Sequence, residues 1–196
     1  MNVSTEAVAE FLSANGVDAE LAPALLEHLR ADETRRGQKT GDSRNIHDYL
    51  KELSTEDVFE DLSQSRSGMV SVFLNVVGDF NLSSGIRNHN WYNGECVWIV
   101  GKKKWDRRGA VGSHHYVDLR HADSEHMTAL IERYRADGYT VVAAEITDDS
   151  VPLNTFSWPD KVITIYGEEG AGIPQTILDY CDHIVHIPGR GSVRSI

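Results

Sequence analysis

Two glycine-rich loops near the end of the chain combine residue types that can bind a small ligand. The first, Gly-Glu-Glu-Gly-Ala-Gly-Ile at residues 167–173, follows an apolar, β-branched run at 162–166 that predicts a buried strand. The second, Gly-Arg-Gly-Ser at residues 189–192, follows a predicted strand over residues 183–187. Glycine lets a ligand approach the backbone closely. Because ligands of open α/β sheets bind at the carboxyl ends of strands, we expect the loops to form two walls of one pocket.

Glycine loops alone do not identify the ligand, because a plain strand-to-helix turn uses the same residues. A second alternative is an unrelated nucleotide-binding α/β domain with residues 167–172 as its phosphate loop. That loop lacks the Lys-Ser/Thr ending of a P-loop and the full dinucleotide-binding fingerprint. A third segment, Asp-Phe-Asn-Leu-Ser-Ser-Gly-Ile-Arg at residues 79–87, favours a different interpretation.

The order and spacing of the three segments resemble the SpoU (TrmH) family of SPOUT-class RNA ribose 2′-O-methyltransferases. That family shows Asn-x-Gly, three mostly small or apolar residues and then an Arg. Asn81 and Arg87 match this motif, whereas Ser83 stands where Gly is usual. The resemblance covers about residues 69–196.

The second and third motifs of that family also have counterparts here. Its Gly-Asn-Glu-Gly-x-Gly-Leu loop resembles residues 167–173, with Glu168 in place of the usual Asn. Its final Ile-Pro, glycine loop and Ser-Leu-Asn resemble residues 187–196, of which Ile-Pro at 187–188 and Ser-Ile at 195–196 match.

The resemblance implies transfer of a methyl group from S-adenosyl-L-methionine to a ribose 2′-hydroxyl of tRNA or rRNA. The residues that it implies for the cofactor are Gly167, Glu169, Gly170, Gly172, Ile187 and Ile196. Ile187 and Ile196 would flank the adenine. Glu169 is expected to accept backbone N–H bonds and organise the loop rather than carry a proton. Glu168 cannot donate the hydrogen bond of an Asn, so it either weakens a loop contact or faces solvent.

Arg87 is the first candidate for catalysis, because the resemblance places it beside the target ribose. A guanidinium stays protonated, so we expect it to grip the ribose phosphate and stabilise the developing oxyanion. The alternative is a helix-surface Arg in an ion pair. Asn81 would hold the turn that aims Arg87 or act only as a helix cap. Ser195 would contact substrate or support its loop.

The basic segment Lys-Lys-Lys-Trp-Asp-Arg-Arg at residues 102–108 is a candidate RNA contact within an acidic chain. The formal net charge is -11, which argues against a protein that coats nucleic acid through bulk charge but allows a local basic patch. The alternative is a solvated loop, although Trp105 could stack on a base. The predicted RNA-binding residues are Lys102, Lys103, Lys104, Arg107 and Arg108, with Arg190 and Arg194 at the pocket mouth.

Alternating patterns over residues 69–196 predict an α/β fold, with a mostly parallel sheet and helices on both faces. The expected strands are 70–77, 96–100, 116–119, 140–146, 162–166 and 183–187, and the expected helices are 81–92 and 124–136. A helix can begin at Pro174. The resemblance implies a SPOUT-type domain with a trefoil knot.

Residues 1–67 are predicted to form a small helical N-terminal appendage, and residues 68–196 the methyltransferase-like domain. Within the appendage, helices are expected at 46–53 and 55–62, the latter capped by Ser54 with Asp57. The alternative is a functional role for the appendage, in which Arg35 and Arg36 belong to an arm that positions RNA.

The histidine pairs do not predict a metal site. His114 and His115 are adjacent, so on a strand they point to opposite faces, and His183 and His186 are also separated on their strand.

Hydrophobic residues make up 40% of the 196-residue chain, which is enough for a real core. Cys96 and Cys181 are far apart in the sequence and lie in or beside apolar runs, so we expect both to be buried free thiols. Free thiols favour a reducing, cytoplasmic location, and the sequence shows neither an apolar run of membrane length nor a signal-like N-terminus.

The family continues past its last motif into a helix that supplies an Asn and much of a dimer contact, whereas this sequence ends at Ile196. We interpret the chain as a fragment of a longer protein that we expect to form a homodimer, with a degenerate family member as the alternative. Without that helix, the apolar face that it covers in the family would be exposed. The alternative to an enzyme is an RNA-binding module that has the same fold but has lost catalysis.

Overall fold

The computed structural model describes residues 44–75, 80–168 and 170–189, together with Ala9, Ser13 and Pro23, which are helical. The chain divides into two compact units, Met1–Arg44 and Asn45–Ile196. The arm predicted at Arg35 and Arg36 lies outside the described residues.

A seven-stranded sheet organises the second unit. Its strands are β1 (Ser67–Asn75), β2 (Gly94–Gly101), β3 (Leu119–Ala122), β4 (Thr140–Ala144), β5 (Val151–Pro152), β6 (Val162–Tyr166) and β7 (His183–His186). Their order is β3-β2-β1-β6-β4-β7-β5, and every pairing is parallel. The predicted parallel α/β sheet is therefore confirmed, and all strands end at one edge of the sheet.

Helices cover both faces of this sheet, as predicted. The described helices are α1 (Thr55–Ser63), α2 (Phe80–Trp91), α3 (Met127–Ala136) and α4 (Gln175–Leu178). On one face, α3 and α4 pack on the β1, β6 and β4 strands, with Ile131 and Ile177 in the same buried cluster as Ile163. On the other face, α2 packs Leu82 and Ile86 against β2. The helices thereby bury the continuous apolar runs that a central parallel strand requires.

The third strand begins later than its pattern predicts. The expected strand 116–119 is wrong, because β3 spans Leu119–Ala122 and residues 113–115 form a 3₁₀ turn. Tyr116 and Val117 are apolar because they bury into two separate clusters, one with α1 and one with α2, and not because they pair in a strand. The short strand β5 was not predicted.

The segment before β1 packs as part of the second unit. The predicted helix 46–53 is wrong, since only Asp48–Leu50 is helical there, as a 3₁₀ turn. Helix α1 is confirmed, with the Ser54 side chain accepting a hydrogen bond from the Asp57 backbone N–H at 3.1 Å. Leu50 and Val58 bury against Tyr116. Residues 45–67 therefore lie in the same compact unit as the sheet, while the domain division at residues 67 and 68 stays a prediction.

Part of the sheet face that carries α2 forms an apolar groove of about 500 Å³ over β1, β6, β4 and β7. Met69, Val162 and Val185 line it, and Trp158 lies at the same groove. In the described part of the chain, no helix is long and apolar enough to cross a membrane. The knot implied by the resemblance involves residues 190–196, which lie outside the described residues, and it stays a prediction.

Candidate active site

Helix α2 carries the first motif and lies close against the sheet. A Cβ placed on Gly85 would come within 2.4 Å of the Phe73 ring, so a larger residue there would force the ring of Phe73 on β1 to shift. Leu82 and Ile86 are buried on the side of α2 that packs on the sheet. The helix position is therefore determined by side chains one turn apart, as expected of an amphipathic helix.

His89 anchors the same helix to β1. Its Nδ1 lies 2.9 Å from the Ser71 hydroxyl, and both side chains are buried. Burial lowers the pKa of His89 from 6.5 to about 4, so the ring is neutral at physiological pH. This buried histidine has a structural role in positioning α2.

Arg87 and Asn81 lie on the solvent-facing side of α2. Asn81 is the second residue of the helix and not the residue that precedes it, so its predicted role as a helix cap is wrong. Among the described residues, no carboxylate forms an ion pair with Arg87. The guanidinium is therefore available for an external anion.

The first glycine loop is a tight turn held by its own backbone. The Gly172 N–H donates to the Glu168 carbonyl at 2.7 Å, and the Glu168 N–H donates to the Gly172 carbonyl at 3.3 Å. A Cβ on Gly167 would lie 2.6 Å from the carbonyl carbon of Gly172. Gly172 has a φ of 68°, which favours glycine. The loop therefore presents main-chain atoms with few side chains in the way.

Glu145, directly after β4, supports this loop through its carboxylate, a role that the sequence patterns did not predict. Its carboxylate accepts hydrogen bonds from the backbone N–H groups of Ile173 and Ile146, both at 2.9 Å. The one available signal was a carboxylate immediately after the apolar run of β4. The hydrogen bonds connect the end of β4 to the glycine loop after β6, its neighbour in the sheet.

Glu168, which replaces the usual Asn, also bonds within the loop. Its carboxylate accepts the Ala171 N–H at 3.2 Å. The carboxylate therefore takes part in the turn by accepting a hydrogen bond, while the two alternatives for the replacement of Asn stay predictions. Glu169, for which that role was predicted, lies outside the described residues.

The residues around the carboxyl edge of β4, β6 and β7 fit a cofactor with a flat ring and polar atoms. Ile187, directly after β7, is 51% exposed and can contact a ring. The Thr147 hydroxyl, after β4, is buried and has no hydrogen-bond partner among the described residues. A buried polar group without a partner suits ligand binding, because a ligand can supply the hydrogen bond. Ile196 and Ser195 lie outside the described residues.

The basic segment leaves the same edge of the sheet, after β2. Lys102, Lys103, Lys104, Arg107 and Arg108 are exposed. Arg108 forms a bidentate ion pair with Asp106, and hydrogen bonds from Arg108 lower the pKa of the Asp106 carboxyl to about 2. Arg190 and Arg194 lie outside the described residues. The described cations therefore form an exposed basic surface in which one arginine is already paired.

Ser83 connects α2 to this basic segment. Its side chain is buried, and its hydroxyl donates a hydrogen bond to the Asp106 carbonyl. The serine that replaces the family's usual Gly therefore joins the helix that carries Arg87 to the loop that carries the cations.

His114 and His115 are arranged differently from the prediction. They lie in a 3₁₀ turn and not on a strand, and their ring centroids are 4.1 Å apart. A tight turn places consecutive side chains closer together than the alternating faces of a strand. Among the described residues, no group of three His, Cys, Asp or Glu side chains could hold a metal ion. Cys96 and Cys181 are free thiols; Cys96 is buried and Cys181 is partly buried.

Comparison with known proteins supports the family resemblance. A family model described as the SpoU rRNA Methylase family matches residues 68–196. A Mus musculus protein named tRNA (guanosine(18)-2′-O)-methyltransferase TARBP1 is 27% identical over 150 residues, covering 74% of this chain and 9% of the mouse protein. The chain thus spans less than a tenth of that relative.

Solved structures show the same fold. The TrmH/SpoU tRNA modifying enzyme of A. aeolicus superposes with a TM-score of 0.63 at 20% identity, covering 72% of this chain and 73% of that one. An AdoMet-bound rRNA methyltransferase from Sinorhizobium meliloti superposes with a TM-score of 0.57 at 26% identity, covering 69% of this chain and 54% of that one. Since the family model matches well over half of the chain, the chain belongs to the SpoU rRNA Methylase family.

Proposed function

We propose that this chain carries the methyl-transfer site of an S-adenosyl-L-methionine-dependent RNA ribose 2′-O-methyltransferase. One observation carries the proposal. The helix with Arg87 follows β1, the glycine loop at residues 167–173 follows β6, and β1 and β6 are parallel neighbours in the sheet. The two motifs therefore start from adjacent points on one edge, in the order that the family requires.

The cofactor would lie at the carboxyl edge of β4, β6 and β7. The described residues Gly167, Gly170 and Gly172 would form one wall, and Ile187 would flank the adenine, with Glu169 and Ile196 completing the site. The Thr147 hydroxyl offers a hydrogen bond. Once bound, the cofactor supplies an electrophilic methyl group on a sulfonium. The sulfonium charge favours a polar surrounding, which the backbone groups of the turn provide.

Arg87 would contact the substrate at its ribose phosphate. A guanidinium offers up to five N–H donors and keeps its charge, so it can bind a phosphate and stabilise negative charge on the 2′-oxygen. It does not accept the hydroxyl proton. Asn81, six residues earlier on the exposed side of α2, and Ser195 would contact the substrate beside it.

RNA is the proposed substrate, as tRNA or rRNA. Support comes from the exposed cations of the basic segment at residues 102–108, in a chain whose formal net charge is -11. Neutralisation of phosphates by Lys and Arg releases counterions and supplies most of the sequence-independent affinity. Arg190 and Arg194 would add to this surface from the far side of the pocket.

The Arg87→Ala variant tests the proposal. Methyl transfer from radiolabelled S-adenosyl-L-methionine to total tRNA and rRNA is expected to fall at least about 100-fold, because a charge that stabilises an oxyanion is removed. RNA affinity should fall only by the share of one phosphate contact, which is far less than the loss of methyl transfer. Arg133→Ala is the matched control, since Arg133 is an exposed arginine on α3, and it should transfer methyl groups normally.

Two other results would contradict the proposal. RNA binding by the parent protein without methyl transfer to any RNA would support the binding module that has lost catalysis. Calorimetric titration showing affinity for ATP or NAD but none for S-adenosylhomocysteine would support the unrelated nucleotide-binding domain.

A homodimer and a cytoplasmic location belong to the same proposal. The apolar groove over β1, β6, β4 and β7 supports association, because exposed apolar patches of this kind mark contact surfaces. Sedimentation equilibrium of the protein would test it, and a monomer at micromolar concentration would contradict the dimer.

A further inference from the structure

A second groove, separate from the glycine loop, lies where β2 ends beside the edge strand β3. It has a volume of about 370 Å³ and is lined by the basic segment, the 3₁₀ turn at residues 113–115 and β3. We call it the edge groove and define it by Lys103, Trp105, Arg107, His114 and His115. Its volume lies within the range of about 300–1,000 Å³ that is typical of small-ligand sites.

Aromatic rings form one side of the edge groove. The ring of His114 meets that of Trp105 edge to face, with centroids 5.8 Å apart and an interplanar angle of 89°. The His115 ring lies 4.1 Å from that of His114. The Arg107 guanidinium lies 5.7 Å from the centroid of Trp105. These side chains provide flat surfaces on which a nucleobase can stack.

Two cations, Lys103 and Arg107, also line the edge groove. Among the described residues, neither Lys103 nor Arg107 forms an ion pair with a carboxylate. The neighbouring arginines differ, because Arg108 pairs with Asp106 and Arg120 pairs with Asp118. In an acidic chain, two unpaired cations at one groove suit an anionic ligand.

One polar atom of the edge groove lacks a partner. The Nδ1 of His114 is buried and has no hydrogen-bond partner among the described residues. Burial lowers the pKa of His114, and the nearby His115 and Arg107 lower it further, so the neutral ring is favoured. A neutral imidazole can stack on a base or, alternatively, exchange one hydrogen bond with its edge.

The floor of the edge groove is continuous with the helix that carries Arg87. Ile99 and Leu119 line the groove and belong to the same apolar cluster as Leu82 and Ile86 of α2. The Ser83 hydroxyl bonds to the Asp106 carbonyl in the loop between Trp105 and Arg107. A ligand in the groove is therefore held in a defined position relative to α2.

We propose that the edge groove binds one unstacked nucleotide of the substrate RNA, with its base against Trp105 and His114 and its phosphate between Lys103 and Arg107. The inference rests on the proposed function, because it names the part of the substrate that binds beside the methyl-transfer site. A base within a duplex is already stacked and cannot enter the groove, so the ligand is a single-stranded or flipped-out nucleotide.

The test measures binding of a fluorescently labelled single-stranded uridine hexamer by anisotropy. Trp105→Ala is expected to weaken binding about tenfold, because one base loses its stacking partner, whereas Trp105→Phe should retain most of the affinity. Trp91→Ala is the matched control: Trp91 is 75% exposed at the end of α2 and should bind the hexamer normally. Circular dichroism of each variant verifies folding.

A second variant separates phosphate contact from folding effects. Arg107 is exposed, so Arg107→Ala should fold normally, weaken binding and reduce the slope of log affinity against log salt by about one. The paired Arg108 provides the comparison, and Arg108→Ala should change the slope less. A duplex RNA of the same length should be insensitive to Trp105→Ala.

Normal hexamer binding by both Trp105→Ala and Arg107→Ala would overturn the inference. It would also be overturned if free uridine monophosphate bound the groove tightly and the hexamer did not compete. These outcomes are distinct from failure of the proposed function, because the assay requires no methyl transfer. If Arg87→Ala abolishes methylation while the groove variants bind RNA normally, only the groove assignment fails.

Discussion

The loops after β6 and β2 leave the same edge of the sheet but are built differently. The loop after β6 is shaped by backbone hydrogen bonds between Glu168 and Gly172, with close main-chain contacts that exclude a Cβ. The loop after β2 is shaped by side chains, among them the pair of Arg108 with Asp106. Close approach of a small cofactor suits a main-chain turn with few side chains in the way, whereas a polyanion suits exposed, charged side chains.

The largest effect is expected from Gly167→Ala, which tests the rigidity of the main-chain turn. Its Cβ would lie 2.6 Å from the Gly172 carbonyl carbon, a backbone atom that cannot rotate away. We expect a loss of about 3 kcal/mol in the free energy of unfolding and loss of S-adenosylhomocysteine binding, measured by urea denaturation and calorimetry. RNA affinity should be nearly unchanged.

Gly170→Ala is the control for that experiment. A Cβ on Gly170 would meet only the Glu168 carboxylate, at 3.7 Å, so the free energy of unfolding should change little. Equal stability of the two alanine variants would contradict the idea that close backbone contact shapes this turn.

The pH dependence of the free energy of unfolding tests the packing of α2 independently of both loops. Burial lowers the pKa of His89 from 6.5 to about 4, so the unfolded chain binds a proton as the pH falls through 6.5 while the folded protein does not until about 4. Stability is therefore constant above pH 6.5 and lost below it, by roughly 2 kcal/mol between pH 7 and 5. His89→Gln should remove this part of the pH dependence in urea denaturation.

The matched control is His126→Gln, because His126 is exposed. It should leave the pH dependence of the parent protein intact. An unchanged pH dependence in His89→Gln would show that another group is responsible.

Glu145→Ala tests whether a side chain outside the motifs supports the main-chain turn. The change leaves the Ile173 N–H without its acceptor, which should cost about 1.5 kcal/mol in the free energy of unfolding. Affinity for S-adenosylhomocysteine should fall several-fold, while hexamer affinity stays constant. Asp148→Ala is the control: Asp148 is an exposed carboxylate in the same β4–β5 connection. If the variant binds S-adenosylhomocysteine as tightly as the parent, Glu145 does not support the cofactor site.

The smallest effect is expected from Ser83→Ala, which breaks the contact between α2 and the loop after β2. Loss of the hydrogen bond to the Asp106 carbonyl should cost about 1 kcal/mol in the free energy of unfolding. Hexamer affinity should fall and S-adenosylhomocysteine affinity should not. Ser84→Ala, on the exposed side of the same helix turn, serves as the control. A larger loss of cofactor affinity than of RNA affinity would reverse the roles given to the two loops.

Much of the sheet and of its carboxyl edge could be predicted from local patterns. The run at Val162–Tyr166 is a buried strand as predicted, and it leads into the glycine loop at residues 167–173 as the resemblance implied. Some glycine positions report backbone geometry, because a positive φ favours glycine and a close backbone contact leaves no room for a Cβ. The roles of Arg87, Ser195 and the cofactor residues stay predictions.

Features that depend on contacts between distant segments could not be read from local patterns. The apolar pair Tyr116 and Val117 looks like a strand, but it fills two clusters beside a turn. The meeting of His114 with Trp105 depends on that turn, and the support by Glu145 depends on the pairing of β4 with β6.

The amino-acid sequence by itself determined where strands end, where the backbone needs glycine and which helix carries Arg87, because these properties depend on neighbours a few residues apart. The tertiary structure alone decided which strand ends lie side by side, which cations are left unpaired and which rings line the edge groove. Those outcomes depend on strand order and on packing between segments far apart in the chain, and no short stretch of residues contains that information.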